Sequence, residues 1–268
     1  MDAEGGDVLA ETALLKHAVA EASVVALRHF ANGTRQWSKP DGSPVSDADI
    51  ETQETLLGIL RDARPHYGWM AEEDADRRVE KRIFVVDPID GTRGFLRGER
   101  YWSVVAAVVE DGRPIAAVVA APAHGAVFAA SIGHGAEKND VPLKVADGAT
   151  LKNAMVAMPT ALYREGSVMA SGVTRAPVLP SLAMRLMNVA QGRFDAVIAK
   201  AGAHHWDLAA PDLILCEAGG VFTALSGDVL RYDTMDTSHG PIVAAAPSLA
   251  APLRDVARAG FLRLKRGP

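Results

Sequence analysis

The chain has very little cysteine and no uninterrupted apolar run long enough to cross a membrane. Cys216 is the only cysteine among 268 residues, which excludes an intrachain disulfide framework and agrees with a reducing compartment. The longest apolar region, 104–121, is interrupted by Glu110-Asp-Gly-Arg-Pro114, a sequence typical of a hairpin turn. The N-terminal sequence Met-Asp-Ala-Glu lacks the basic start and apolar centre of an export signal. We therefore expect a cytoplasmic protein without membrane contact.

An excess of positive charge is also lacking. The net charge of −5 argues against broad nucleic-acid binding, which needs a positive surface to displace counterions. Neither a Gly-x-Ser-x-Gly elbow nor a Gly-x-x-x-x-Gly-Lys-Ser/Thr loop occurs, so the sequence does not support the hydrolase and nucleoside triphosphatase mechanisms that use them. Cys216 lies in an apolar run beside Ile214 and Leu215, and we expect a packed core residue there rather than a nucleophile.

Apolar residues make up 49% of the chain, enough for a sizeable core in one or two domains. Ala10, Ala13, Leu14 and His17 mark the expected inner face of the first helix. The alternation of helices and strands predicts an α/β fold of stacked layers with two sheet-containing subdomains, 1–149 and 150–268. Periodicity and turn residues predict helices at 7–30, 47–63, 182–190 and 208–218, and strands at 83–86, 102–109, 115–121, 126–131, 155–158, 196–199, 221–223 and 242–245.

One predicted strand leads directly into a group of carboxylates. Residues 83–86 form a continuous apolar run, which is typical of a strand covered on both faces. The sequence Asp87-Pro-Ile-Asp-Gly-Thr92 follows it. Pro88 cannot donate to a strand ladder, so we expect the strand to end near Asp87. The exposed end of such a strand is where open α/β sheets usually bind ligands.

The groups after this strand suit a hard cation and a phosphate. Asp87, the carbonyl of Ile89 and Asp90 offer oxygen ligands of the kind that Mg²⁺ prefers. Gly91 would let a phosphate approach the backbone, and Thr92 would open a helix whose free N–H groups favour an anion. Asp90-Gly91 considered alone would indicate a turn followed by a helix cap. The whole hexapeptide after a buried strand favours a ligand site instead.

Two further segments supply acidic residues. Ala71-Glu-Glu-Asp74 places Glu72 before the strand, where it could share a cation with Asp87. Trp206-Asp207 precedes an apolar stretch that ends in Glu217-Ala-Gly-Gly220. Taken singly, the acidic run 72–76 is typical of a solvated loop, and Asp207 of a helix N-cap.

Together, these segments resemble the inositol monophosphatase family of Mg²⁺-dependent, lithium-sensitive phosphatases, whose superfamily includes bisphosphate nucleotidases. Their order and spacing match over residues 7–250. The resemblance implies alternating α and β layers of the sugar-phosphatase type, a homodimer and a small phosphorylated metabolite as substrate. It also implies that Glu72, Asp87 and the Ile89 carbonyl hold one metal, and that Asp87, Asp90 and Asp207 hold a second. Thr92 and Glu72 would position the attacking water, with Asp90 beside them as a catalytic residue.

The segment from Lys39 to Asp49 extends the resemblance, because it looks like the mobile loop of the family. Asp49 would then help to hold a third, weaker metal. Ser46 and Asp49 also have the spacing of a capping box before the predicted helix 47–63. Both roles remain open at this point, and they could alternate.

Charge counting supports several Mg²⁺ ions. Glu72, Asp87, Asp90 and Asp207 carry four negative charges when ionised, which two Mg²⁺ ions would neutralise. A bound phosphate dianion would leave the site negative again. A cation near Asp49 would offset that excess, so we expect two Mg²⁺ ions in the enzyme and a third that enters with substrate.

The position of Lys200 argues for an anionic leaving group. In inositol-hydrolysing relatives, a glutamate seven residues before the tryptophan-adjacent aspartate contacts the sugar hydroxyls. Here that position is Lys200, which cannot accept hydroxyl hydrogen bonds but could attract a second phosphate or carboxylate. Arg185 is another candidate anion contact. We therefore consider an inositol monophosphate-like substrate and a 3′(2′),5′-bisphosphate nucleotide, with solvation at the surface as the alternative role of both cations.

We also predict the roles of three residues near Asp207. If Asp207 capped its helix, Pro211 would occupy the position of the first intrahelical N–H, so the helix would begin later or be distorted. His204 and His205 are expected to be polar neighbours of the loop rather than metal ligands.

A protein of another class remains as an alternative. A catalytically weak protein that binds metal and a phosphorylated ligand would keep the same fold. The presence of both Glu72 and Thr92, the residues expected to position water, favours an enzyme.

Overall fold

The computed structural model describes residues 2–74, 80–146 and 148–266. The helices are α1 (Asp2–Asn32), α2 (Asp47–Ala63), α3 (Thr92–Leu96), α4 (Thr160–Tyr163), α5 (Gly166–Ala170), α6 (Leu182–Ala190), α7 (His205–Glu217) and α8 (Pro247–Arg266), with a short 3₁₀ helix at Pro122–His124. The strands are β1 (Gln36–Ser38), β2 (Pro44–Ser46), β3 (Gly68–Ala71), β4 (Arg82–Asp90), β5 (Ser103–Glu110), β6 (Arg113–Ala121), β7 (Ala126–Ser131), β8 (Ala136–Lys138), β9 (Val141–Pro142), β10 (Met155–Ala157), β11 (Thr174–Arg175), β12 (Ala196–Ala199), β13 (Ala203–His204), β14 (Val221–Ala224), β15 (Ser238–His239) and β16 (Ile242–Ala245).

The larger sheet has seven strands in the order β3-β4-β5-β6-β7-β8-β9. β3 and β4 are parallel, and the rest of the sheet is an antiparallel meander. Side chains of β4 alternate between two cores: Phe84 and Val86 pack with α1 and α2, whereas Ile83 and Val85 face α6 and α7. Burial on both faces explains why this strand is a continuous apolar run.

The smaller sheet has five strands in the order β11-β10-β12-β16-β14. One of its faces shares a core with α6 and α7, and the other packs against α8 through residues such as Leu249 and Leu253. The layers therefore follow one another in the order α1 and α2, the larger sheet, α6 and α7, the smaller sheet, and the outer helices that include α8. This arrangement confirms the predicted α/β layering. The expected boundary between the subdomains lies near Ala149. The nearby residue Asp147 is outside the described residues.

The boundaries of several predicted elements are confirmed and others need correction. Helix α6 and strands β12 and β16 have the predicted bounds. Strand β4 does not end near Asp87 as predicted but continues through Pro88 to Asp90. Its pairing with β5 shifts register between Asp87 and Asp90, so Pro88 does not have to donate a hydrogen bond to the neighbouring strand. Helix α8, which contains Pro252, was not predicted.

The inner face of α1 differs from the predicted one. Leu15, Ala18 and Ala22 are fully buried, whereas Ala10, Ala13 and His17 are exposed. The helix is therefore rotated by about one residue, roughly 100°, from the predicted orientation. Its alanine-rich sequence gives a weak amphipathic signal, which explains the error.

Within the described residues, no helix combines the length and the apolar character needed to cross a membrane.

Candidate metal centre and adjoining cavity

The end of β4 presents two carboxylates toward the middle of the molecule. Asp87 and Asp90 are both buried, and the register shift between them turns the chain so that both side chains face one cavity. Asp87 Oδ1 accepts a hydrogen bond from the Ile89 amide at 2.9 Å, which fixes its orientation.

Asp207 joins this pair from the first turn of α7. Carboxylate oxygens of Asp87, Asp90 and Asp207 all lie within 4.8 Å of one another. Asp207 Oδ2 accepts a hydrogen bond from the His204 amide at 2.6 Å, as the third residue of a capping box does. The helix begins at His205, earlier than predicted, so Asp207 is not the N-cap and Pro211 lies inside the helix. The structure thus brings together three of the predicted metal ligands.

Asp90 also joins the two halves of the molecule. Its Oδ2 accepts hydrogen bonds from the Ala183 amide at 2.7 Å, from the Ser103 hydroxyl at 3.3 Å and from the Ser181 hydroxyl, while its Oδ1 accepts only a longer bond from the Leu182 amide at 3.2 Å. Oδ1 is therefore the oxygen of Asp90 that is more open to a metal. Ser181 and Ser103 were not predicted from the sequence, although Pro180-Ser181 before an apolar helix is an N-cap signal.

The three carboxylates disfavour one another's ionisation. Burial, followed by the charges of Glu72, Asp90 and Asp207, raises the pKa of Asp87 well above its usual range. Burial also raises the pKa of Asp90 despite its hydrogen bonds, and burial and the charge of Asp90 raise the pKa of Asp207 to about 8. Buried carboxylates packed this closely must bind protons or cations. Their oxygen donors fit a hard divalent metal.

Glu72 lines the same cavity but is paired with a lysine. Lys39 Nζ, from the turn between β1 and β2, lies 3.0 Å from Glu72 Oε1 and 2.5 Å from Glu73 Oε1. Burial alone would lower the pKa of Lys39, but the two carboxylates outweigh it and raise that pKa. Burial raises the pKa of Glu73 to about 7. The side chain of Lys39 therefore occupies the place of a cation beside Glu72, a contact that the sequence did not predict. Residues 75 and 76 of the acidic run lie outside the described residues.

Asp49 has one oxygen in a capping box and the other directed at the metal centre. Its Oδ2 accepts hydrogen bonds from the Ser46 amide at 2.8 Å and the Ser46 hydroxyl at 2.6 Å. Its Oδ1 lies 3.1 Å from the Thr92 hydroxyl, which is also 2.9 Å from the Ile89 carbonyl. The capping interaction is confirmed, and the metal-binding role of Asp49 stays a prediction. Thr92 opens α3, as predicted.

Gly91 allows the close approach of the second half of the chain. Its φ is +94°, and a Cβ at this position would lie 3.1 Å from the backbone nitrogen of Ser181. From the sequence, we expected this glycine to let a phosphate approach the backbone. The structure adds a packing reason, since any other residue at Gly91 would push α6 away from Asp90.

Two cavities meet at Asp207. The metal-site cavity, of about 320 Å³, is lined by Glu72, Asp87, Ile89, Asp90, Gly91, Thr92, Arg93, Arg97 and Asp207 among others. A larger cavity of about 590 Å³ lies beside it and includes Arg185 and the exposed Lys200. Arg185 Nε and Nη2 donate to the carbonyls of Ser181 and Pro180, each at 3.2 Å. Both predicted anion contacts thus line the cavity next to the metal centre.

Two residues of α7 carried expectations, and the one for Cys216 is wrong. Cys216 lies on the exposed side of the helix rather than in the core. Its thiol turns toward Asp212, and partial burial of the sulfur together with that carboxylate raises its pKa to about 12, which leaves it a poor nucleophile. His205 is fully buried at the start of the helix and does border a loop, since its Nε2 lies 3.1 Å from the carbonyl of Thr234 and its Nδ1 2.8 Å from His239 Nε2.

Comparison with known proteins agrees with this geometry. The family model described as "Inositol monophosphatase family" matches residues 8–258. The chain is 34% identical over 220 residues to an inositol-1-monophosphatase of Mesorhizobium japonicum, covering 77% of this chain and 79% of the relative. It is also 34% identical over 231 residues to a histidinol-phosphatase of Streptomyces coelicolor, covering 80% and 86%. The crystal structure of the extragenic suppressor protein suhB from Bartonella henselae superposes with a TM-score of 0.80 at 28% identity, covering 94% of this chain and 98% of that one. The chain therefore belongs to the inositol monophosphatase family and is a phosphomonoesterase.

Proposed function

We propose that the protein is a Mg²⁺-dependent phosphatase that hydrolyses a small phosphorylated metabolite with metal-activated water. The observation that supports this most is the trio of carboxylates from Asp87, Asp90 and Asp207, buried and within 4.8 Å of one another. A buried anionic cluster of this kind has no stabilising role by itself, because like charges repel in a poorly solvated site. Divalent cations turn it into a phosphate-binding site.

The ligands divide into two principal sites and a weaker one. Glu72, Asp87 and the Ile89 carbonyl would hold one Mg²⁺, and Asp87, Asp90 and Asp207 a second. Asp49 would contribute to a third that enters with substrate. When bound, Mg²⁺ polarises the phosphoryl oxygens, lowers the pKa of a water molecule and stabilises the leaving alkoxide.

The side chains around the metals position the reacting groups. The Thr92 hydroxyl can donate to Asp49 Oδ1, which leaves its oxygen lone pairs free to accept a hydrogen bond from the attacking water. Glu72 would take part in holding that water once Lys39 gives up its ion pair. Arg93 and Arg97, on the same cavity wall, offer positive charge to the transferred phosphate.

We further propose that the substrate carries a second anionic group. Lys200 and Arg185 line the cavity into which the leaving group would extend, and this supports a bisphosphorylated nucleotide over an inositol monophosphate. The relatives do not decide the substrate, since one is named for inositol 1-phosphate hydrolysis and another for histidinol phosphate.

A panel of phosphomonoesters tests both levels of the proposal. We expect Mg²⁺-dependent phosphate release, with kcat/KM highest for adenosine 3′,5′-bisphosphate among that compound, inositol 1-phosphate, fructose 1,6-bisphosphate and histidinol phosphate. Lys200→Ala should raise KM for the bisphosphates more than for inositol 1-phosphate, while the exposed Lys152→Ala leaves all of them unchanged. An equal effect of Lys200→Ala on every substrate would reject charge recognition.

Asp90→Asn supplies the test of the metal centre. We expect a loss of kcat/KM of at least about a hundredfold, because the variant removes one metal-binding charge, whereas Asp140→Asn at an exposed position should change it less than about twofold. Absence of Mg²⁺-dependent release from every compound in the panel would instead favour the weakly catalytic binding protein.

Lithium sensitivity and a homodimeric state are part of the same proposal and are supported by the family resemblance. A cytoplasmic location and a division into 1–149 and 150–268 also belong to it and rest on the sequence pattern. Millimolar lithium should inhibit phosphate release. Activity that is unaffected by lithium would count against the assignment of Asp49 to a third metal. Sedimentation equilibrium should give twice the mass of one chain.

A further inference from the structure

The larger cavity has an unusual balance of charge. Arg175, Arg185 and Lys200 line it, and Asp207 of the metal centre is the one carboxylate among the described lining residues. Within the described parts of the chain, none of these three basic side chains forms an ion pair with a carboxylate. Some basic side chains outside this cavity are paired with carboxylates, as Arg113 is with Asp212 and Arg64 with Glu11. Unpaired cations around a cavity favour an anionic ligand.

The rest of this cavity is apolar. Met158, Val178, Leu179 and Leu182 contribute to its wall together with prolines and alanines. Thr160 is the one hydroxyl-bearing residue among the described lining residues, and it already accepts a hydrogen bond. A polyol would therefore find few acceptors here, whereas a ligand with an apolar body would be buried favourably.

Arg175 is held in place but has an unsatisfied donor. Its Nη2 donates to Thr160 Oγ1 at 2.7 Å, which fixes the guanidinium against α4. Its Nε is buried and has no hydrogen-bond partner. Within the described residues, its Nη1 and the second hydrogen of Nη2 also form no hydrogen bond, so these donors remain for an anionic ligand.

Arg185 and Arg175 reach the cavity from different elements, α6 and β11. Arg185 lies at the end nearer the metal centre, where Asp90 and Asp207 act on it electrostatically. Arg175 lies on β11, the edge strand of the smaller sheet, beside α4. A phosphoryl group at the metal centre would leave Arg175 facing the other part of the ligand.

We propose that Arg175 binds a second anionic group, a phosphate or a carboxylate, carried by the leaving group of the substrate. The inference rests on the proposed phosphatase activity and narrows its substrates to phosphomonoesters with an apolar body and a second anion. The cavity volume of about 590 Å³ is within the range of pockets that enclose whole small molecules. Arg175 thus determines specificity and takes no part in the chemical step.

Two pairs of substrates that differ only in the second anion test this role. Adenosine 3′-phosphate is compared with adenosine 3′,5′-bisphosphate, and benzyl phosphate with 4-carboxybenzyl phosphate, with products identified by chromatography. Within each pair the leaving alkoxide is almost the same, so a difference in KM reports binding of the second anion. In the wild-type protein we expect a lower KM, by about tenfold or more, for the doubly anionic member of at least one pair.

Variants then assign that preference to one side chain. Arg175→Met should abolish the preference by raising KM for the doubly anionic member, leaving kcat and the KM of the singly anionic member within about twofold. Arg175→Lys should restore part of it. Arg164→Met, which removes an exposed arginine outside the cavity, should keep the wild-type preference.

The outcomes separate this inference from the proposed function. If both members of each pair are hydrolysed with equal KM, or if the preference survives in Arg175→Met, the role of Arg175 is overturned while the phosphatase activity stands. If no substrate releases phosphate with Mg²⁺, the proposed function itself fails, and the inference with it. Should Arg175→Met not fold, as judged by circular dichroism, Arg175→Gln replaces it, since the amide can still donate to Thr160 but carries no charge. A preference that survives in Arg175→Gln would likewise overturn the role of Arg175.

Discussion

At the scale of single residues, Asp49 connects a helix cap to the reaction site. One of its oxygens satisfies the Ser46 amide and hydroxyl, and the other meets the Thr92 hydroxyl. Burial raises the pKa of Asp49, and the hydrogen bonds from Ser46 oppose that rise. The capping role and the site role therefore do not exclude each other, because each uses a different oxygen.

Asp49→Asn tests whether the charge of this residue matters beyond the helix cap. The variant keeps an acceptor for Ser46 but removes the negative charge, so we expect kcat to fall about tenfold or more and one Mg²⁺ binding event to disappear in calorimetric titrations with phosphate present. Asp47→Asn is the matched control, because it removes an equal charge from the same first turn of α2. Unchanged turnover in Asp49→Asn, with only two Mg²⁺ binding events in the wild-type protein, would reject the third metal.

The clustering of the carboxylates was predictable from sequence in a way that their other contacts were not. Asp87 and Asp90 are three positions apart after a buried strand, and this short spacing keeps their side chains close to each other. Lys39 and Ser181 contact Glu72 and Asp90 across long stretches of chain. No local pattern encodes such contacts, because they depend on how two layers dock. The capping box at Asp49 was predictable since its partners are three residues apart.

At the scale of elements, α6 is anchored by the metal centre as well as by its core. Ser181 caps this helix by accepting from the Met184 amide at 2.9 Å, and its hydroxyl also contacts Asp90. Asp90 accepts from two further amides of the first turn, and a carboxylate is favourable at that end of a helix. The N-terminus of α6 therefore helps to orient a metal ligand that belongs to the larger sheet.

Ser181→Ala should affect stability and metal binding together. Loss of the cap is expected to lower the free energy of unfolding by about 1 kcal/mol. Loss of the hydroxyl beside Asp90 is expected to weaken Mg²⁺ binding by roughly tenfold or more. Denaturant unfolding and calorimetric titration measure the two effects.

Ser248→Ala provides the comparison, because Ser248 donates to the Ala149 carbonyl at the start of α8 and lies outside the metal site. It should lose stability without losing Mg²⁺ affinity. A Ser181→Ala variant that binds Mg²⁺ like the wild type would show that the serine serves only the helix.

Elements were predictable where burial gave a strong periodic pattern. Helix α6 has a pronounced apolar side and its predicted bounds are confirmed. Strand β4 extends past Pro88 because a register shift accommodates the proline, and such a shift depends on the neighbouring strand β5. Helix α7 is buried almost all round, so its sequence carries little amphipathic signal and its start was placed three residues late.

At the scale of the whole molecule, the metal centre lies where the two sheets and the helix pair between them meet. Asp87 and Asp90 come from the larger sheet, Asp207 from α7, and the hydrogen bonds to Asp90 from α6. Repulsion among these carboxylates opposes the docking of the layers, and bound cations reverse that effect. Metal binding should therefore stabilise the entire fold and not only a loop.

The dependence of stability on pH tests this coupling directly. The pKa of Asp207 rises from its ordinary 3.8 to about 8 in the folded protein, and that of Asp87 also rises. Between these values these carboxylates bind more protons in the folded protein than in the unfolded chain. Without metal, their contribution to stability is therefore fully present below about pH 4 and is lost as the pH rises to about 8. Melting temperatures in chelator should fall across pH 5 to 8.5, and saturating Mg²⁺ should remove most of the fall because it replaces the protons. Asp207→Asn should flatten the profile in chelator, since an amide cannot ionise. A melting temperature that rises with pH in chelator, or a profile unchanged in Asp207→Asn, would show that these carboxylates do not repel one another in the folded protein.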